Sequence, residues 1–355
     1  MPGVRRAEVL VAAHHAAASA RDVDAVDPAV GEMVAALADK LDVALTNPRQ
    51  AVLGALYGWL PPRWRPHAGL APRALILTSP AQWWVARCFP RATLVYYAVD
   101  NYAVGYGWPA ARVYAWERRI VSRCAVVVVV SAALAAEMAR RHRLPAARLV
   151  VSPNAVPAAL IPAQPLPPRR RLPALAGVLG RVSSRLRLTW IRQAVEALPW
   201  LHWRFAGDVE EAELVAADRE PLAWLQRHPR CQFLGRLPYR ELARQAAEVD
   251  VGVMPFSERS INPWGSPMRL FVHLAAGRPL LGTPGCAQVA DFAPLVTLCG
   301  DASELIARLE ALRRCDFDDG LQTARLATAR AHTWDHRAAT MAALLARTVP
   351  RATEP

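Results

Sequence analysis

Between Asp250 and Pro284 the chain reads DVGVMPFSERSINPWGSPMRLFVHLAAGRPLLGTP, an order of residues suited to holding an anion. The apolar run Val251–Met254 stops at Pro255, a polar loop follows, and a helical pattern opens on Gly265, Ser266, Pro267 and Met268. Ser266 is a favoured N-cap type, and Pro267 suits the first helical position, where a missing backbone N–H costs nothing. A helix begun this way has unpaired amides and a partial positive charge at its start, which together favour an anion such as a nucleotide diphosphate. Earlier in the chain, Gly180 and Arg181 follow another apolar run, with Arg185 and Arg187 just beyond. Two guanidiniums and a helix N-terminus can neutralise a leaving group whose negative charge grows as a bond breaks. Each of these arginines also fits a solvated helix face. Asp100 ends an apolar run at the strand edge where open α/β folds place ligand chemistry, and it equally fits an Asx turn capping the next loop.

Such residues need a scaffold, and the apolar periodicity supplies one. Strand-length runs at Glu8–Ala12, Asp42–Thr46, Ala74–Thr78, Thr93–Ala98, Ala125–Val130 and Leu149–Ser152 alternate with helical segments such as Val30–Lys40 and Ala132–His142. That alternation predicts a doubly wound α/β domain on a parallel sheet. It restarts with strands Gly177–Leu179, Trp203–Ala206, Cys231–Leu234, Val251–Met254, Pro279–Gly282 and Leu295–Cys299. Helices are expected there at Arg187–Leu198, Arg240–Glu248, Met268–Ala276 and Ser303–Arg314, and one or two more over Thr323–Val349. Proline crowds the stretch between the halves, and proline continues neither a helix nor a central strand. The expected division is therefore residues 1–155, a proline-rich linker at 156–173, a second domain at 174–330 and a helical tail at 331–355.

A length of 355 residues exceeds what one core usually serves, and 53% hydrophobic with 21% charged residues is a globular composition. The net charge of +13 rests on arginine, since Lys40 is the only lysine. A basic surface of this kind attracts phosphates on nucleotides, polyprenyl carriers, anionic lipids or nucleic acid. No nucleic-acid recognition motif accompanies it, so nucleic acid is not an expected partner. Six widely spaced cysteines, without CxxC pairs, read as reduced thiols of a cytoplasmic protein. The longest apolar run, Cys124–Ala136, is too short to span a bilayer. Arg5 and Arg6 before an apolar stretch imitate a signal peptide, but Glu8, His14 and His15 interrupt it and favour a first strand.

Several motifs, in order and spacing, resemble family 4 glycosyltransferases, a group of retaining enzymes with the GT-B fold. Ser266–Leu281, SPMRLFVHLAAGRPLL, is similar to that group's donor motif, roughly sPlKlfEYlAaGkPvv. CQFLGRLPYRELARQAAEVDVGVMPF resembles the strand, helix and strand before it, and VVVSAALAAEMARRH with LVVSPNAV resembles the segment closing the first domain. TLVYYAVDNYA and HTWDHRA are similar to a strand end and a tail helix found in members. The likeness extends from about Ala74 to Ala343 and is strongest after Arg118. It implies two Rossmann-like domains facing a cleft, with a C-terminal helix crossing back to the first. It also implies sugar transfer from a nucleotide-diphosphate sugar to a glycan, lipid-linked or small-molecule acceptor, with retention and without a metal or other cofactor. In the family a basic pair at Arg181 and its neighbours clamps the donor diphosphate. Arg269 stands at the family's lysine position, and Gly180 and Gly265–Met268 fall among donor contacts. Asp100 would face the sugar or the acceptor hydroxyl, with Asn101 and His15 toward the acceptor. No protein nucleophile is implied, because the leaving phosphate helps to take the acceptor proton.

Departures from that pattern are specific. The carboxylate that binds the donor ribose in the family falls at Val272, and its paired acidic position falls at Trp264. Glu258, in the preceding loop, is the candidate substitute. These losses motivate an alternative reading, a non-catalytic relative acting as a binding or regulatory partner. His15 also fits an ordinary strand-end histidine. Asp316–Asp318 imitates a DxD metal motif but follows a charged helix and precedes another, so helix N-capping is expected there. In Gly54–Arg73 aromatics interleave with arginines, which suits either a packed loop or peripheral contact with an anionic membrane near a lipid-linked acceptor.

Overall fold

A computed structural model describes residues 9–12, 28–41, 43–46, 72–167 and 173–349. His15 and residues 54–71 of the aromatic and arginine-rich segment lie outside the described residues. The chain separates into two compact units, residues 1–153 with 334–355, and residues 154–333.

The first unit is built on strands β1 (Val9–Ala12), β2 (Val43–Thr46), β3 (Ala74–Leu77), β4 (Thr93–Ala98), β5 (Val126–Val129) and β6 (Leu149–Val151). They pair in parallel in the order β2-β1-β3-β4-β5-β6. β5 is four valines, all buried, as a β-branched run covered on both faces should be. The helices are α1 (Pro28–Ala38), α2 (Ala110–Val121) and α3 (Ala132–His142). Ser131 starts α3 by accepting a hydrogen bond from the Leu134 amide at 3.0 Å, and Arg143 ends it in the left-handed region at φ 54°.

The second unit repeats the plan with β7 (Ala174–Leu179), β8 (Leu201–Ala206), β9 (Cys231–Phe233), β10 (Val251–Met254), β11 (Leu280–Gly282) and β12 (Thr297–Leu298). Its parallel order is β12-β11-β10-β7-β8-β9. Around it run α4 (Leu188–Ala197), α5 (Ala216–Arg227), α6 (Tyr239–Glu248), α7 (Met268–Ala276), α8 (Ala287–Asp291), α9 (Ala302–Arg314) and α10 (Gln322–Ala331). The core is dense with Trp203, Phe205 and Phe271, and Phe205 stacks on Phe233 with ring centroids 4.3 Å apart. α11 (Trp334–Thr348) packs against α1, so the tail helix is part of the first unit.

The proline-rich stretch expected as a linker is carried by the second unit as far as Pro167. Its carbonyls are bound there: Arg330 donates to Pro162 and Ala163 at 3.1 and 2.7 Å, Gln322 to Leu166 at 3.0 Å, and Arg278 to Pro167 at 2.8 Å. Proline removes donors from a segment but leaves every acceptor, and these are the groups the arginines satisfy.

Strand order decides where the second unit can hold a ligand. The chain runs outward from β7 to β9, then crosses back so that β10 lies on the other side of β7. The loops after β7 and β10 therefore leave the sheet side by side at a topological switch point, the usual crevice of an open parallel sheet. Gly180 ends β7 at φ 78°, and its N–H donates to the Ala206 carbonyl at 2.7 Å. An ideal Cβ on Gly207 would lie 2.2 Å from the Gly180 carbonyl oxygen, so the two strand ends meet backbone to backbone. Gly207→Ala is expected to lower the stability of this unit by about 3 kcal/mol, the upper part of the range for overpacking. A urea titration followed by tryptophan fluorescence checks it, and an unchanged midpoint would contradict the close approach.

Candidate functional site

Two loops meet at the switch point, residues 180–187 after β7 and 255–267 after β10. Leu186 and Phe256 form an antiparallel bridge, the Arg187 amide donates to Pro255 at 2.7 Å, and the Ser257 amide donates to Arg185 at 2.9 Å. Buried Asn262 locks them further. Its Nδ2 donates to the Arg185 and Ser257 carbonyls at 2.7 and 2.8 Å, while its Oδ1 accepts from Arg185 Nε at 3.0 Å. One buried amide thus fixes both the backbone and the guanidinium of Arg185.

α7 spans Met268–Ala276 as expected, but Ser266 is not its N-cap. Pro267 is the N-cap residue, extended at ψ 118°, and no side chain caps the first turn. The Ser266 hydroxyl is engaged elsewhere, accepting from the Asn154 amide at 2.8 Å, while its carbonyl accepts from Asn154 Nδ2 at 2.6 Å. With Ser266 held away, the first amides of α7 keep the anion-favouring character of an uncapped helix.

Arg269 sits on that first turn, against Gly180. An ideal Cβ on Gly180 would approach Arg269 Nη2 to 2.7 Å, so a side chain there would displace the guanidinium from its present position. Nη2 donates to the Arg181 carbonyl at 3.2 Å, and Cζ lies 5.3 Å from the centroid of the Phe256 ring. Nη1 is buried without a hydrogen-bond partner. Burial, followed by the like charges of Arg185 and Arg181, pushes the Arg269 pKa down to about 9. A cation in that position, facing cations and no carboxylate among the described residues, is an electrostatic deficit that a bound anion relieves.

The neighbouring arginines are already engaged. Arg181, half-exposed, reaches Glu213 Oε1 with Nη1 at 3.2 Å, and Arg187 Nη2 pairs with Glu258 Oε1 and Oε2 at 2.6 and 2.5 Å. Arg187 also lies over the Trp190 ring at 4.4 Å. One turn along α7, His273 is fully buried with neither ring nitrogen hydrogen-bonded, and Gly252 on β10 leaves the space it fills. Burial, then the Arg269 charge, pushes its pKa down to about 3.

The structure brings together, within the second unit, Gly180, Arg181, Arg185, Gly265, Ser266, Pro267, Met268 and Arg269, with Arg187 and Glu258 joined in an ion pair at the rim. Asp100 and Asn101 lie in the first unit. Asp100 follows β4, and its Oδ2 accepts a short hydrogen bond from the Tyr106 hydroxyl. Asn101, expected toward the acceptor, is 2% exposed and its Oδ1 accepts from Arg141 Nη2 at 2.9 Å. Its amide ties the strand end to α3 and is not presented for a ligand. Asp316–Asp318 does not cap α10 either: Asp316 and Phe317 take left-handed conformations, and Asp318 accepts from the Gly320 amide at 3.0 Å. Asp319 is the residue that reaches the helix, holding the Leu321 amide at 3.2 Å and Arg325 Nη1 at 2.8 Å. Among the described residues no three His, Cys, Asp or Glu side chains gather as metal ligands, and no helix is long and apolar enough to cross a membrane. Val272, at the position of the family's ribose carboxylate, is packed with Leu179, Ala206, Ala246 and Ala276. Asn262, Asn154 and Glu213 are the residues that sequence reasoning missed.

With this geometry in hand, comparison with known proteins gives a consistent likeness. A family model described as "Glycosyl transferase-like" matches residues 185–343, which include Arg185, the loop after β10 and α7 but begin after Gly180 and Arg181. TuaH of Bacillus subtilis (strain 168), named as a teichuronic acid biosynthesis glycosyltransferase, is 25% identical over 170 residues, which cover 45% of this chain and 40% of TuaH. Anabaena Alr3699/HepE, solved in complex with UDP and glucose, superimposes with a TM-score of 0.66 at 12% identity, over 96% of this chain and 100% of that one. A glycosyltransferase from Rickettsia africae ESF-5 gives 0.69 at 12% identity, over 98% and 100%. Together with the two parallel sheets, these likenesses show a two-domain α/β GT-B fold.

Two measurements bear on the electrostatics. Arg269→Met removes a poorly compensated cation while keeping most of its apolar stem, and is expected to raise the melting temperature of the ligand-free protein. A gain of about 2–4 °C corresponds to relief of ~1 kcal/mol in units of this size. The same substitution should reduce the stabilisation conferred by added inorganic diphosphate, and a lowered melting temperature would contradict the deficit. For His273 the folded pKa is depressed, so the unfolded chain takes up the proton first as pH falls. Stability linked to this group is therefore present above about 6.5, the ordinary histidine value, and is lost progressively toward pH 3. His273→Phe should flatten that part of the stability curve relative to the parent in urea titrations.

Proposed function

We propose that the chain is a glycosyltransferase whose second unit binds a nucleotide-diphosphate sugar and transfers the sugar with retention of configuration. The observation that carries this reading is Arg269: a buried guanidinium edge with no partner, beside an uncapped helix start and next to Arg181 and Arg185. A diphosphate supplies the missing negative charge, and its charge grows as the glycosidic bond breaks, so the same groups favour the transition state over the bound donor. Gly180, Gly265, Ser266, Pro267 and Met268 provide close backbone approach. A diphosphate competes with Glu213 for Arg181 and with Glu258 for Arg187, which leaves those carboxylates for the ribose or sugar hydroxyls. Asp100, oriented by Tyr106, serves the sugar or the acceptor hydroxyl, and the acceptor is a glycan, a lipid-linked saccharide or a small molecule. The proposed chemistry uses no metal, and the proposed setting is cytoplasmic, with peripheral contact at the inner membrane face where the acceptor is lipid-linked. The complexes of Alr3699/HepE with UDP and with UDP-glucose support a uridine diphosphate donor as the first to test.

One observation favours a second reading. Val272 lies in an apolar cluster, so the carboxylate that holds the ribose in the resembled family is replaced by a side chain with no acceptor. A chain that binds nucleotide without turning it over, as a regulatory or scaffolding partner, would tolerate that change.

Calorimetry against a panel of nucleoside diphosphates, followed by mass spectrometry of products from a mixed donor pool with lysate acceptors, separates the readings. Binding with product formation supports transfer, whereas binding without product, or no binding to any nucleotide, rejects transfer and supports the partner. Arg181→Ala is expected to lower turnover about 10²–10³-fold, the range for losing one charge-stabilising donor. Its circular dichroism should be unchanged, and parental turnover would remove Arg181 from the clamp.

A further inference from the structure

The first unit carries a second basic site that the donor reading does not use. A cavity of about 490 Å³ is lined by Arg118, Arg141, His142, Arg143 and Arg148, over a floor that includes Val121 and Leu144. No carboxylate lines it. It lies at the ends of α2 and α3 and just ahead of β5 and β6, hence at the N-terminal edge of the parallel sheet. Asp100 follows β4 at the opposite, C-terminal edge.

Three of the lining side chains are fixed in place. Arg141 is 6% exposed and clamped by Glu117, Glu137 and Asn101. Glu117 also takes His142 Nε2 at 2.8 Å. Arg148 Nη2 donates to the Val121 and Cys124 carbonyls, each at 2.5 Å, so its partly buried charge is held by neutral acceptors. Arg118 and Arg143 are exposed, and with Arg148 they have no ion pair among the described residues. Helix C-termini do attract cations, and the plain alternative is that these arginines only neutralise α2 and α3. The magnitudes decide against it: two helix ends carry roughly half a negative charge each, about one in all, against three unpaired guanidiniums. Roughly two positive charges remain, which matches a phosphate group.

The geometry points to an anion site in the first unit that takes a phosphate-bearing ligand, a phosphomonoester or diphosphate, through Arg118, Arg143 and Arg148. Arg148 supplies a preorganised charge and the two exposed arginines close around the ligand. Free phosphate compounds and the headgroup of an anionic lipid share this chemistry.

The test keeps the full chain and disables the second-unit site with Arg181→Ala and Arg269→Ala, so that failure of the donor reading and failure of this one are distinguishable. Arg118→Gln with Arg143→Gly then removes the two exposed charges. Arg143 already occupies the left-handed conformation that glycine prefers, so the substitution preserves the end of α3. Inorganic diphosphate is expected to bind the background protein in calorimetry, and to bind at least about 10-fold more weakly once Arg118 and Arg143 are replaced, the loss of a charge-assisted contact. Vesicles of phosphatidylglycerol and of phosphatidylcholine distinguish the sources. Sedimentation with the anionic vesicles alone, competed by diphosphate and lost in the Arg118 and Arg143 variant, assigns a lipid headgroup. Diphosphate binding without vesicle binding assigns a free phosphorylated compound. Absence of diphosphate binding to the background protein, or affinity unchanged by the two substitutions, overturns the proposal.

Discussion

The second unit is organised around one uncompensated charge. Arg269 stands where a helix starts without a side-chain cap, its Nη1 buried and unpaired and its Nη2 resting on the carbonyl of another arginine. Keeping it there requires Gly180 to have no side chain, Phe256 to offer a ring face, and Asn262 to hold Arg185 alongside it. These contacts hold the cation in place without neutralising it, and together they form a positive site at the switch point. Stability given up in one small region, within an otherwise well-packed core, is how a ligand site differs from structural packing.

Much of the architecture was legible because parallel sheets covered on both faces leave a strong imprint. Thr93–Ala98, Val251–Met254, Ala132–His142 and Met268–Ala276 occur with the bounds that their apolar patterns predict. α5 was not anticipated, since Pro221 sits inside it and proline argues against a helix interior; burial of Leu222 and Leu225 outweighs that local preference. β7 is three residues longer at its start than its apolar pattern suggested, because Ala174, Leu175 and Ala176 follow immediately on a proline run. Two strand-like ends, at Pro279 and Leu295–Val296, fall outside the strands in the structure, and the Val296 amide is taken by a turn bond to the Phe292 carbonyl at 3.1 Å.

Site residues divide along the same line. Gly180, the arginines after it and the Gly265–Arg269 turn were visible because their types carry a local meaning: a left-handed turn, a charge, a helix start. Asn262, Asn154 and Glu213 carry none. Their roles exist only after segments 32 to 112 residues apart have been brought together, as in the Arg181–Glu213, Arg185–Asn262 and Asn154–Ser266 bonds. Ser266 illustrates the converse. As a residue type it is a good N-cap, and a distant asparagine overrides that preference by binding both its hydroxyl and its carbonyl.

The neighbouring residues Val272 and His273 on α7 have different physical meanings. His273 keeps a polar ring in a dry space and is held neutral there, so it adds no charge to compete with Arg269 for an anion. Val272 fills its place with apolar contacts to the ends of β7 and β8, through Leu179 and Ala206. The cationic end of the site is thus present, while its neighbour on α7 offers no polar acceptor. Charge pairing with a diphosphate supplies affinity that is indifferent to what the diphosphate carries, whereas discrimination between ligands comes from buried polar groups that are left unpaired by the wrong one. In the proposed reading, valine at the position where the resembled family has its ribose carboxylate would weigh on selectivity among nucleotides more than on capture of the diphosphate. In the proposed reading the remaining selectivity falls to groups on the loops, Glu213 and Glu258, whose present partners are the arginines that a diphosphate would occupy.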